Sequence, residues 1–377
     1  MKLICKQIAR VLILFVISMT CLSCSNSDPA PENPIVTPEE IIPENIEITV
    51  TVLNTDATNP NGDGSGKVQC VATADNTVKF GFKFGNALET QSTNGTMDYT
   101  FTEPGNNNYT ITVYAYSSTG NSISRFTTTS VYVTEPELQL VWSDEFDVDG
   151  SFNTSNWIAE VVPPDNGSWF NGEKQHYTDR ANNVYVSNGT LKIVAKKETY
   201  TYGNSTKEYT SARLITKDRV EFTYGRVDVR AKLPKGDGTW PAIWMLGANI
   251  DTVGWPACGE IDIMEHWGHK PGIVSSATHT TACSGGCTDV SVGSSTLPDY
   301  GTEFHIYSLE WNKNELKFLI DGEFKYSYAP TPETNDNYPY TTDQFIVLNI
   351  AMGGSWFGID PNFTESTMEV DYVRLYQ

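Results

Sequence analysis

The chain has 377 residues, enough for two domains with a substantial core, so neither a metal nor a disulfide is required for folding. Its 25 basic residues stand against 46 acidic ones, a net charge of −21; residues 1–24 hold three of the basic residues and none of the acidic ones, so their removal leaves 22 against 46, or −24. A field of that sign repels phosphate backbones, anionic lipid surfaces and strongly sulfated polymers, which argues against nucleic acid as a partner and in favour of a neutral one.

The opening stretch, MKLICKQIARVLILFVISMTCLSC, places Lys2, Lys6 and Arg10 ahead of an apolar run from Val11 to Met19. That run is too short to cross a bilayer and reads as an export signal over residues 1–24. It closes on Ser23-Cys24 before a polar, Pro-rich tail, which resembles the lipobox of bacterial lipoproteins. Cys24 is then the lipidated residue; Cys21, or ordinary cleavage with no anchor, are the alternatives. The expected location is the bacterial cell envelope, with the membrane touched only through that lipid. Residues 25–45 are rich in Pro and Glu without periodicity, as expected of a disordered tether.

From about Ile46 to residue 135 the pattern turns to short alternating segments, among them IEITVTVLN, KVQCVATA and VKFGFKFG, separated by Gly, Asn and Pro turns. Six or so strands in this span predict a small antiparallel sandwich of immunoglobulin type. The segment YTFTEPGNNNYTITVYA resembles the turn and following strand of PKD domains, and no cluster of candidate catalytic groups occurs here, so a spacer or interaction module is expected. Beyond Cys24 four cysteines remain, of which Cys283 and Cys287 flank a Ser-Gly-Gly turn and suit a small disulfide loop; zinc would need more well-spaced ligands.

Residues 136–377 also read as nearly all β, with GTLKIVAKK, YGRVDVRAKLP, FHIYSLEWN, LKFLIDGEFKYSY and FIVLNIAMGG at strand length. Asp321-Gly322 is a two-residue hairpin signal. A domain of this length predicts a large two-sheet sandwich with one outer face free to form a groove.

Within it, GEIDIMEHWG sets Glu260, Asp262 and Glu265 into an apolar stretch. Buried acids are costly unless paired or put to chemical use. On a regular strand Glu260 and Asp262 share a face and Glu265 takes the other. A β-bulge near Met264 restores Glu265 to their face. With four effective rises of ~3.3 Å the two Glu Cα atoms lie ~13 Å apart, and side chains leaning inward by ~4 Å each leave ~5 Å between carboxyls. That gap suits the ~5–5.5 Å of a retaining glycosidase pair.

EIDIMEHWG resembles the E-x-D-x-x-E signature of glycoside hydrolase family 16, in its laminarinase-like branch. The likeness extends from Leu138 to Gln377 through LVWSDEFD, NGEKQHYTDRANNVYVSNGTLKIVAKKE, TSARLITKDRVEFTYGRVDVRAKLPKGDGTWPAIWMLG, FHIYSLEWNKNELKFLIDG and MEVDYVRLYQ. The resemblance implies a concanavalin-like jelly roll whose cleft cleaves internal β-linkages with retention, with Glu260 as nucleophile, Glu265 as acid/base and Asp262 as their assistant. Trp240, Trp244 and Trp267 offer flat indole faces to pyranose rings, with core packing the alternative for the first two. His279 matches a histidine near the acid/base on the leaving-group side, Arg213 and Asn171 match cleft residues, and Trp356 is placed to close one end of the cleft.

The resemblance also implies a structural calcium held by Glu145, the backbone oxygen of Gly189, and Asp371; catalysis needs no cofactor. The expected activity is that of a monomeric endo-β-1,3-glucanase acting on a neutral β-glucan. Mixed-linkage β-1,3/1,4-glucan and β-galactan are the alternative substrates, and a noncatalytic glycan-binding protein is the alternative class.

Overall fold

The computed structural model describes residues 41–284 and 292–377; Cys24, Cys287 and all but the end of the expected tether lie outside the described residues. Contacts divide the chain into two compact units, with the boundary between Pro136 and Glu137.

The N-terminal unit is a pair of antiparallel sheets. Glu44–Val52, Lys67–Asp75 and Thr96–Thr100 form one; Thr90–Ser92, Lys79–Phe84, Gly105–Tyr116 and Ser122–Val133, in that order, form the other. Alternation organises it. Along Gly105–Tyr116 the side chains of Ile111, Val113 and Ala115 are buried while Thr110, Thr112 and Tyr114 are not. The buried set meets Val68, Cys70, Phe82 and Val131 in one core.

The C-terminal unit is a β-sandwich of jelly-roll type. One sheet runs Gln175–Tyr177, Ser205–Ser211, Thr190–Tyr202, Glu365–Tyr376, Gly225–Lys232, His305–Trp311, Leu316–Ile320 and Glu323–Tyr328. The other runs Val292–Thr296, Ile273–His279, Glu260–His266, Thr239–Gly247, Gln344–Met352, Arg213–Ile215 and Ile158–Ala159. Their inner faces meet in a core that joins Val227, Val229 and Leu309 to Ile243, Met245, Ile261, Ile346, Leu348 and Ile350. Every residue of Gln344–Met352 is buried, as a central strand covered on both faces requires. Among the described residues the only α-helix is the single turn Ile250–Val253.

The Asp321-Gly322 hairpin forms as its sequence demands, Ile320 pairing with Glu323. Both turn residues take positive φ, 54° and 79°, the left-handed pair that matches the twist of the flanking strands.

Candidate active site

Four neighbouring strands form the floor of the site: Ile273–His279, Glu260–His266, Thr239–Gly247 and Gln344–Met352. Across the second and third, Glu260 pairs with Leu246, Asp262 with Trp244, Met264 with Ile243 and Glu265 with Ala242. Ile263 is therefore the extra residue of a bulge. The irregularity recurs on the other side, where Asp262 faces Ala277 and Glu265 faces Ser275. Ile263 and Met264 both enter the core, 3% and 1% exposed. Burial of each contributes about 1.5–3 kcal/mol, which pins the bulge and returns Glu265 to the face of Glu260 and Asp262. Entry to the strand also needs Gly259: its φ is +78°, and a Cβ there would meet the Tyr340 ring at 2.8 Å.

On that outer face two indoles hold the two glutamates. Trp255 Nε1 donates to Glu260 Oε2 at 2.6 Å, and Trp240 Nε1 donates to Glu265 Oε1 at 2.8 Å. His279 stands opposite Glu260 in the strand register, with its Nε2 3.2 Å from Asp262 Oδ2 and 4.0 Å from Glu260 Oε1. Glu265 acts on the imidazole through its charge, behind Asp262 and Glu260 in size. The antiparallel pairing puts Ser275 across from Glu265 and carries the histidine to the other end of the carboxylate row.

Burial raises all three carboxyls. Asp262 is pushed furthest, first by desolvation and then by the charges of Glu260 and Glu265. Glu260 is raised by burial, with opposition from His279, Trp255, Arg213 and a hydrogen bond to Asp262. Glu265 is raised by burial, against the Trp240 hydrogen bond, with the charge of Glu260 adding to the rise. For His279 burial alone would lower the pKa, but the Asp262 hydrogen bond and the three carboxyl charges outweigh it and lift it to about 9. The row thus couples three buried carboxyls, each raised, to one imidazole that is itself raised, and the His279 charge is the first of the effects opposing the rise of Glu260.

The tryptophans at 240 and 244 face the same side as the carboxyls, since along their strand they alternate with the buried Ile243 and Met245, which point into the core. Trp240 packs edge-on against half-exposed Trp356, ring centroids 5.3 Å apart. Trp244 Nε1 donates to Asn349 Oδ1 at 2.7 Å, and the Arg213 guanidinium lies 4.7 Å over the Trp244 ring while its Nε binds Glu160 Oε2 at 2.5 Å. Asn171 takes a left-handed φ of 60°, and its carbonyl accepts from the Ser355 backbone at 2.8 Å, next to Trp356. Trp267 is half-buried under the Lys270 ammonium, 4.7 Å from its ring centre.

Three features escaped the reading of the sequence. Trp255 is one; it stands five residues before Glu260 but outside the spacing of the signature. Another is a buried relay in which Asn349 Nδ2 donates to Tyr177 Oη at 3.0 Å, Tyr177 to Glu173 Oε2 at 3.1 Å, and Gln175 Nε2 to the same oxygen at 2.6 Å. The third is Glu160, which anchors Arg213. The relay and Glu160 are remote from the signature in the chain; only NGEKQHY, with a Glu, Gln and Tyr at alternating positions, carried a signal of a buried polar face.

Glu145 and Asp371, two of the positions expected to hold calcium, are ion-paired in the structure. Pairing of Leu191 with Val370 brings Gly189 towards Asp371. However, Arg374 Nε and Nη2 hold both oxygens of Glu145, at 3.0 and 2.9 Å, and Arg230 Nη1 lies 2.5 Å from Asp371 Oδ2. Among the described residues one group has metal-ligand spacing, Glu260, Asp262 and His279, with ligand atoms within 4.8 Å of one another. There the His279 imidazole supplies the positive charge. Cys283 is disulfide-bonded, and Cys70 and Cys258 are free and buried.

Residues 171–374 match the pattern of glycosyl hydrolases family 16. The chain belongs to glycosyl hydrolases family 16. Among relatives in this family is a β-glucanase of Rhodothermus marinus, 40% identical over 255 residues that span 64% of this chain and 86% of the relative. Glucan endo-1,3-β-glucosidase A1 of Niallia circulans is 37% identical over 263 residues, and only 38% of its length is spanned. Two crystal structures share the fold of the family 16 unit. A LamA variant of Zobellia galactanivorans, in complex with laminaritriose and laminaritetraose, is 44% identical with a TM-score of 0.57, covering 63% of this chain and 99% of that one. SCLam, a non-specific endo-β-1,3(4)-glucanase, is 37% identical with a TM-score of 0.60, covering 64% and 92%. The family and these relatives place the chain among glycosidases with β-glucan-cleaving kin.

Proposed function

We propose that the chain is an endo-acting β-1,3-glucanase working with retention, and that it is exported and lipid-anchored through Cys24. The observation that carries the catalytic reading is the bulge at Ile263, which sets Glu260 and Glu265 on one face with a separate indole donor on each. In this reading ionised Glu260 attacks the anomeric carbon while Glu265 passes its proton to the departing glycosidic oxygen. Glu265 then takes a proton from water as that water displaces Glu260 from the sugar. Asp262, protonated, donates to Glu260 and keeps its titration apart from that of Glu265. Trp240, Trp244 and Trp356 supply the apolar surface for glucosyl rings, and Arg213 and Asn171 the polar groups beside them.

A β-1,3-glucan is favoured because the relatives with bound or named β-1,3-glucans are among the most similar, and mixed-linkage glucan is the second reading, favoured by the non-specific glucanase. Proton NMR of laminarin mixed with residues 25–377 tests the proposal. A β-anomer appearing before mutarotation supports it; an α-anomer first would refute retention. Inertness towards laminarin, mixed-linkage glucan and neutral galactans alike would favour a glycan-binding protein. Anchoring is tested separately, by release of Cys24→Ala from membrane fractions.

A further inference from the structure

Trp255 has no place in the two-carboxylate chemistry, yet it makes the shortest hydrogen bond to the carboxylate row. It follows the single helical turn Ile250–Val253, just before the motif strand, and is 52% exposed. An indole has one donor and no acceptor. An indole so exposed has water for that donor, but here it is aimed at Glu260 Oε2 at 2.6 Å, a charge-assisted bond when the carboxyl is ionised. Glu260 also has a hydrogen bond with Asp262, and its Oε1 lies 4.0 Å from His279 Nε2.

We propose that Trp255 is a positioning residue for the nucleophile, its indole N–H holding Glu260 Oε2 so that Oε1 is the oxygen that bonds to the sugar. The inference rests on Glu260 being the nucleophile. In the first step the Oε1–C1 bond forms as the bond from C1 to the leaving oxygen breaks, and the Glu265 proton goes to that oxygen. Oε2 becomes the ester carbonyl and keeps the indole donor. In the second step water attacks C1, its proton goes to Glu265, and the electron pair of the breaking C1–Oε1 bond returns to the carboxylate. The N–H on Oε2 stabilises the returning charge. It acts in the ground state of the first step and the transition state of the second, and in both it fixes which lone pair faces C1.

The other groups facing Glu260 are Asp262 on its own strand, His279 on the next, and Arg213 and Glu265 at longer range, none of which the substitution alters. The test compares the full chain with Trp255→Phe and Trp255→Ala, reading kcat and KM against pH on laminari-oligosaccharides. Trp255→Phe is expected to lower kcat on the order of tenfold with KM within about twofold, and to move the acidic limb of kcat/KM up by about one pH unit, because a donor to the carboxylate has gone. Trp255→Ala is expected to show the same limb. An unmoved acidic limb, or a loss confined to KM, would make Trp255 a sugar platform and overturn the proposal.

Should neither variant fold, the indole N–H proton signals of the wild type decide. One downfield tryptophan signal must titrate with Glu260 and lose its shift in Glu260→Gln; if none does, the proposal is wrong. Undiminished turnover by Glu260→Gln is a different outcome, which sinks the nucleophile assignment itself.

Discussion

His279 and Glu260 face each other across adjacent strands, and between them the imidazole reaches Asp262 at 3.2 Å. A histidine held by three carboxyls binds its proton more tightly in the folded chain than in the unfolded one, about 9 against 6.5. Its contribution to stability is therefore fully present below pH 6.5 and is lost as pH rises towards 9. The melting-temperature deficit of His279→Gln relative to wild type should be largest near pH ~6 and shrink by about pH 9.5. A deficit that grew with pH would show that the imidazole is neutral in the fold.

Glu265→Gln removes the group proposed as the general acid. Turnover of laminarin should fall by roughly 10²–10⁴-fold, while aryl glucosides with good leaving groups should still glycosylate Glu260 rapidly. The burst of aryl alcohol measures this; equal losses on both kinds of substrate would remove Glu265 from the acid role.

Deletion of Ile263 takes out the bulge and one core side chain. The strand then regains strict alternation with Glu265 four positions after Glu260, so the three carboxyls still share a face and the residues beyond keep theirs. The variant should lose about 2–5 kcal/mol of stability, the scale of a large core truncation, while keeping measurable activity. Urea unfolding and laminarin turnover are the measurements, and a folded but inactive deletion variant would show that the spacing set by the bulge, beyond the shared face, is required.

Glu173 lies beneath the site with Gln175 and Tyr177 on one oxygen, and burial raises its pKa. For a carboxyl whose folded value is raised, stability is lost as pH climbs from the unfolded value through the folded one. Glu173→Gln keeps an acceptor and removes that penalty, so its melting temperature at about pH 7.5 should match or exceed that of wild type. Near pH ~3.5, below both the folded and the unfolded value, the advantage should vanish. A lower melting temperature at the higher pH would mean that the carboxylate, held by the charges of Arg213 and Lys207, is the form the fold needs.

Much of this protein follows from local pattern. Alternation in segments such as YTITVYAYSS and FHIYSLEWN dictates strands, because a period of two suits only a pleated element with one buried face. Asp321-Gly322 dictates its turn, because few other pairs accept two positive φ values. The parity conflict in EIDIME made a bulge necessary, since an ordinary strand cannot put Glu260 and Glu265 on one side.

What the tertiary structure decided are contacts between elements far apart in the chain, which no local period encodes. Strand register set His279 across from Glu260 and within reach of Asp262. Arg374 and Arg230, on neighbouring strands of one sheet, came to pair with Glu145 and Asp371. The relay from Trp244 through Asn349 and Tyr177 to Glu173 joins positions up to 172 residues apart, and each of its bonds exists because a buried polar atom must find a partner wherever packing supplies one.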